Sequence, residues 1–103
     1  MTVAEVFHAL GDPVRLEMVQ RLARSQPCTI ATVSHGLGIT RQGARKHLQV
    51  LVDAKLVVLE PRGREVHVQL ETGALDRARS FLARLERKWD QRLEALRRSL
   101  EGS

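Results

Sequence analysis

The stretch TRQGARKHLQVLVD, residues 40–53, concentrates the side chains best suited to grip a polyanion. Arg41, Gln42, Arg45, Lys46 and Gln49 fall on one side of a helix, and no acid interrupts them before Asp53. Ala44, Leu48, Leu51 and Val52 follow at i, i+4, i+7 and i+8, the spacing of an apolar helical stripe. Thr40 suits the N-cap, because its hydroxyl can accept from a first-turn backbone N–H. Such a helix is anchored by its leucines and turns guanidinium, ammonium and amide groups outward. A guanidinium fork matches a guanine edge, a glutamine amide matches adenine, and either cation matches phosphate oxygens. A merely solvated helix would ordinarily mix acids among its bases. Gly43 is a poor helix former, which suggests that a Cβ there would collide with DNA or with a neighbouring helix. His47 borders the apolar stripe, as a packed or a phosphate-contacting histidine.

The remaining reactive side chains form no comparable set. His8, His35 and His67 lie in different predicted elements, and zinc would need three or four converging ligands, so neither a metal site nor a cofactor is expected. Cys28 is the single cysteine, too few for an internal disulfide, which fits a reducing cytoplasm. No Ser-His-Asp, Cys-His or paired-carboxylate arrangement and no glycine-rich phosphate loop is visible, so the chain does not read as an enzyme. The net charge of +5 over 103 residues favours polyanionic partners. Phe7, Phe81 and Trp89 are the whole aromatic complement, too few for a single-strand stacking platform. The apolar runs are too short to span a bilayer, so no membrane partner is expected. MTVAEVFHAL lacks a basic region and carries Glu5, unlike a signal peptide.

The elements that must position the basic stretch follow from capping and periodicity. Residues 1–103 read as one small domain. Thr2 caps a first helix with Val3, Val6, Phe7 and Leu10 on one face, ended by Gly11. Asp12-Pro13 starts a second helix running to about Arg24, with Val14, Met18, Val19, Leu22 and Ala23 inward. Arg15, just behind that start, has two open roles, a phosphate contact or an ion pair near Glu17. Ser25-Gln26-Pro27 is a break, and Cys28 is read as a loop residue. Thr29 caps a short third helix to about His35, and Gly36 to Ile39 turn into Thr40. Residues 29–54 therefore make a helix-turn-helix. Over residues 56–70 the period changes to two, giving a hairpin with Glu60-Pro61-Arg62-Gly63-Arg64 at its tip. Arg62 and Arg64 there suit a wing that touches backbone or minor groove.

From 74 to about 101 the chain is helical again, with Leu75, Ala78, Leu82, Leu85, Trp89, Leu93, Leu96 and Leu100 stepping by three and four. That stripe outruns the rest of the domain, and a second copy is the simplest cover, with Trp89 as an anchor. Val3, Val6 and Phe7 of the first helix are expected to join Leu82, Leu85, Trp89, Leu93 and Leu96 in the dimer contact. The expected fold class is mainly α with a small β-hairpin, a winged helix-turn-helix in the order α-α-α-α-β-β-α.

The order and several pieces resemble the arsenic-repressor-like (ArsR) family. These pieces are ALGDPVRLEMVQRL at 9–22, TVSHGLGITRQGARKHLQVLVDAKLV at 32–57 and the hairpin ending at Leu70. The ending, WDQRLEALRRSL, is similar to the dimer-forming last helix of one branch of that family. The resemblance implies a homodimeric, cytoplasmic repressor that binds a pseudo-palindromic double-stranded DNA operator and is released by an effector, unknown here. Many members sense metals through a Cys-x-Cys pair before the recognition helix, or through histidines and acids on the last helix. This chain departs at both places, with Cys28 alone at the first and no histidine at the second. The expected DNA-binding set is Thr40, Arg41, Gln42, Arg45, Lys46, His47, Gln49, Arg62 and Arg64. The rivals are a metal- or redox-responsive sensor using Cys28 or the scattered histidines, and a helical module that docks a different protein.

Overall fold

The computed structural model describes residues 2–25 and 27–102. Helices α1 (Val3–Leu10) and α2 (Pro13–Arg24) are followed by a short strand β1 (Cys28–Thr29) and helices α3 (Ile30–Ser34) and α4 (Arg41–Asp53). Strands β2 (Val57–Arg62) and β3 (Glu65–Leu70) form a hairpin, and α5 (Thr72–Glu101) closes the chain. The helix starts are set by side-chain caps. Thr2 and Glu5 make a reciprocal capping box on α1, Asp12 accepts from the N–H groups of Val14 and Arg15, Thr29 from Thr32, and Thr40 from Gly43.

The mainly helical class with a small sheet stands, with one strand more than the sequence reading allowed. β1 pairs antiparallel with β3, Cys28 opposite Val68 and Thr29 opposite His67, so the sheet order is β1-β3-β2. Cys28, expected in a loop, is a buried strand residue whose thiol donates to the Ser25 carbonyl. The hairpin tip is also tighter than expected. Glu60, Pro61 and Arg62 belong to β2, and Arg62 pairs with Glu65 across a two-residue loop of Gly63 and Arg64. Gly63 takes φ +63° at the first loop position, a conformation glycine supplies without steric cost.

The core sits where α1, α2, α3, α4 and the sheet meet, around Met18, Leu22, Val33, Leu48, Leu51, Leu56 and Val68. Val6 is fully buried there, which corrects its assignment to the dimer contact, since its side chain is already covered within the chain. Ala23, expected inward on α2, is exposed. α4 ends in a Schellman motif: the Leu56 N–H donates to the Leu51 carbonyl at 2.9 Å and the Lys55 N–H to the Val52 carbonyl at 3.0 Å. Lys55 holds the left-handed position of that motif at φ +61°, where glycine is usual.

α5 has 30 residues, about 45 Å at 1.5 Å per residue. Its first turns lie on the domain, with Ala74 and Ala78 buried and the Phe81 ring against Phe7 at 5.9 Å between centroids. Beyond Phe81 it projects, giving the chain extents of 70 × 25 × 22 Å. Leu82, Leu85, Trp89, Leu93, Leu96 and Leu100 are all exposed along it, Trp89 by 60%.

Candidate nucleic-acid interface

Four conformational devices place α4. The α3–α4 turn needs left-handed backbone, which Gly36 at φ +74° and Gly38 at φ +71° provide. The Thr40 hydroxyl accepts from the Gly43 N–H at 2.9 Å and fixes the first turn of α4. Ala44, Leu48 and Leu51 seat its inner face in the core. The Arg21 guanidinium donates to the His35 carbonyl at 2.6 Å and to the Val33 carbonyl at 3.3 Å, which holds the end of α3 against α2.

With the inner face seated, Arg41, Gln42, Arg45, Lys46 and Gln49 are exposed. Gln49 is partly occupied, since its amide donates to the Asp53 carboxylate at 2.8 Å. Arg41 and Arg45 line one open groove with Arg64 from the hairpin loop; Thr29, Ser34 and Thr40 add hydroxyls to its wall, and Glu65 adds a single carboxylate. Three permanent cations from α4 and the hairpin thus converge on one concavity, a geometry suited to phosphate oxygens. Arg62 stands apart from that groove and lies 3.4 Å from Glu60 on its own strand. Such an exposed pair contributes little to stability and leaves the side chain free to exchange partners.

Two residues have surroundings that the sequence did not show. Of the two collisions expected for a Cβ at Gly43, the one with a neighbouring helix does not occur; a Cβ there would instead lie 3.2 Å from the Thr40 hydroxyl that caps the same helix. Arg15 does not make the expected ion pair near Glu17. Its Nε donates to the Ala9 carbonyl at 2.7 Å, Nη2 reaches the His8 carbonyl at 3.4 Å, and Nη1 lies 3.2 Å from His47 Nδ1. Glu17 pairs instead with Arg21 at 3.2 Å and Arg24 at 3.4 Å. No spacing rule could have exposed the Arg15 contact, because its partner on α4 is 32 residues away. His47 is consequently half-buried at the edge of the α4 basic face, with Asp12 Oδ2 3.8 Å from its Nδ1. The backbone N–H of Arg15, then that of Val14, hold the Asp12 carboxyl below the usual carboxylate range against the opposing effect of desolvation, and positive charge on His47, when protonated, and on Arg15 acts in the same direction.

Among the described residues no three of His, Cys, Asp and Glu converge well enough to hold a metal ion, and no helix is long and apolar enough to cross a membrane.

Comparison with known proteins bears on this arrangement. A helix-turn-helix domain family matches residues 10–60. Over 65 residues the chain is 35% identical to the uncharacterized HTH-type transcriptional regulator YuzN of Bacillus subtilis (strain 168), covering 57% of this chain and 71% of that protein. It is 34% identical over 65 residues to the "Probable mercury resistance operon repressor" of Streptomyces lividans, covering 63% of this chain and 51% of that one, so it spans about half of the repressor's length. Among solved structures, an ArsR-like transcriptional regulator from Rhodococcus sp. RHA1 is 31% identical with a TM-score of 0.77, covering 93% of this chain and 90% of that one. The homodimeric winged helix-turn-helix DNA-binding domain Mb0332 from Mycobacterium bovis shares the fold, with a TM-score of 0.62 at 24% identity over 89% of this chain and 82% of that one. Helix-turn-helix, hairpin wing and these likenesses together place the chain in the ArsR family of winged helix-turn-helix transcriptional regulators.

Proposed function

We propose that this regulator is a cytoplasmic homodimeric repressor of which residues 1–103 act as one DNA-binding unit on a pseudo-palindromic operator. The observation that carries the reading is the groove in which Arg41, Arg45 and Arg64 converge from two separate elements. α4 enters the major groove. Arg45, Gln42, Lys46 and Gln49 face base edges and nearby phosphates, while Thr40, Arg41 and His47 stand toward the flanking backbone. Arg64 and Arg62 extend the contact from the wing to the adjoining backbone.

The exposed stripe of α5 from Leu82 to Leu96 is covered by the same stripe of a second copy, with Val3 and Phe7 beside it. The homodimeric state of Mb0332, which shares the fold, supports this assembly, and the repressor name of the Streptomyces lividans relative supports the sign of regulation. Two copies of α4 then lie about one DNA turn apart, roughly 34–36 Å, on a two-fold site.

The test begins with duplexes selected by the full chain from a random pool. Arg45→Ala weakens binding to the selected duplex by about 1–3 kcal/mol in a gel-shift titration. Unchanged affinity of that variant would count against the placement of α4. Selected sites without two-fold symmetry would count against the dimeric reading.

A further inference from the structure

The contact between Arg15 and His47 joins two parts of the molecule with different tasks. Arg15 binds the Ala9 and His8 carbonyls, the last turn of α1, and α1 in turn packs on α5 through Phe7 and Phe81. Its remaining nitrogen, Nη1, reaches His47 on α4. A guanidinium can only donate, so His47 Nδ1 must be the acceptor in this pair. A neutral imidazole that accepts at Nδ1 carries its single proton on Nε2. The His47 side chain keeps 23% of its surface exposed, and its Nε2 is not among the buried nitrogens left without a partner in the described residues. Asp12, at 3.8 Å from Nδ1, is too far to receive a hydrogen bond, and Arg15 and Asp12 are the charged groups facing the ring.

We propose that Arg15 is a positioning residue: it locks His47 in the Nε2–H tautomer and so presents one neutral donor, at the edge of the recognition helix, to a DNA backbone phosphate. Arg15 itself does not touch DNA. Because its other two nitrogens hold the end of α1, the same guanidinium fixes the recognition helix relative to the helix beside α5. The affinity part of this inference rests on the reading of α4 as the DNA-facing helix; the tautomer part does not.

Two measurements on the full chain test it. Long-range nitrogen–proton NMR spectra of the DNA-free protein, above the pH at which histidine is charged, report the tautomer of each ring. His47 is expected as Nε2–H in the wild type and as a mixture in Arg15→Lys, whose single ammonium cannot span both the α1 carbonyls and the ring. An Nδ1–H ring in the wild type, or an unaltered tautomer in Arg15→Lys, overturns the proposal. The second measurement is a double-mutant cycle on the selected duplex. Arg15→Lys and His47→Ala should each weaken binding about five- to fiftyfold, and the double variant by little more than the worse single one. Losses that multiply in the double variant mean that Arg15 acts through something other than His47. If the wild type selects no duplex at all, the DNA-facing reading fails while the tautomer result still decides the lock.

Discussion

Truncating Trp89 to alanine is the sharpest probe of assembly. The ring is 60% exposed at the middle of the α5 stripe. For a side chain of roughly 250 Å², about 150 Å² is therefore available to a partner, worth roughly 3–4 kcal/mol at about 25 cal/mol per Å². A symmetric pair buries two such rings. Halving the total for an imperfectly closed seam and for the β-carbon that alanine keeps leaves a loss of about 3–4 kcal/mol, a several-hundredfold rise in the dimer dissociation constant. Sedimentation velocity over a dilution series reads that constant directly. Trp89 is also the single tryptophan of the chain, so its emission should shift to longer wavelength as the wild type dissociates. Leu16→Ala serves as the control, because Leu16 is 43% exposed on α2, away from the stripe, and should leave the constant unchanged. Equal dissociation constants for Trp89→Ala and wild type would refute the reasoning, as would a solvent-like emission in a wild-type dimer.

Two further outcomes follow from the backbone and the caps. Lys55→Gly relieves the left-handed strain at φ +61° and should stabilise the chain by about 0.5–1 kcal/mol, net of the extra freedom glycine gives the unfolded state. A thermal melt at fixed protein concentration checks this; a lowered midpoint would contradict it. The Asp12 carboxyl is held below its ordinary value near 3.8, so its ionised form is favoured in the folded chain. Its contribution is fully present above that ordinary value and is lost as pH falls through the lower folded value. Thermal midpoints of wild type and Asp12→Asn should therefore converge on acidification below about pH 4 and stay apart above it. A gap independent of pH would oppose the assignment.

What could be read from the sequence was local, because the relevant signals lie within a turn or two of one another. The Asp12-Pro13 start of α2 and the Thr40 start of α4 are cap residues followed at once by an apolar period, and both helices begin where that chemistry puts them. The two glycines between α3 and α4 advertise left-handed backbone, which the chain uses. β1 was not legible, since two residues carry no period and their pairing to Val68 and His67 is made across about 40 positions of chain. For the same reason the basic types on α4 were evident, whereas their convergence with Arg64 depends on how the hairpin folds over the helix-turn-helix. Val6 shows the limit of face-counting. It lies beside Phe7 on the α1 apolar side, but only the packed domain decides that it is buried within its own chain rather than against another.

The short strand ahead of α3 gives the wing a mechanical footing. β3 is clamped between a strand that leads directly into α3 and a strand that leaves α4 by way of the Schellman turn. A load on the hairpin loop is therefore passed to both ends of the helix-turn-helix at once, as through a crossbeam. The loop that carries Arg64 is thereby braced by the two strands that bracket the helix carrying Arg45, so the two arginines share one framework rather than hanging from independent segments.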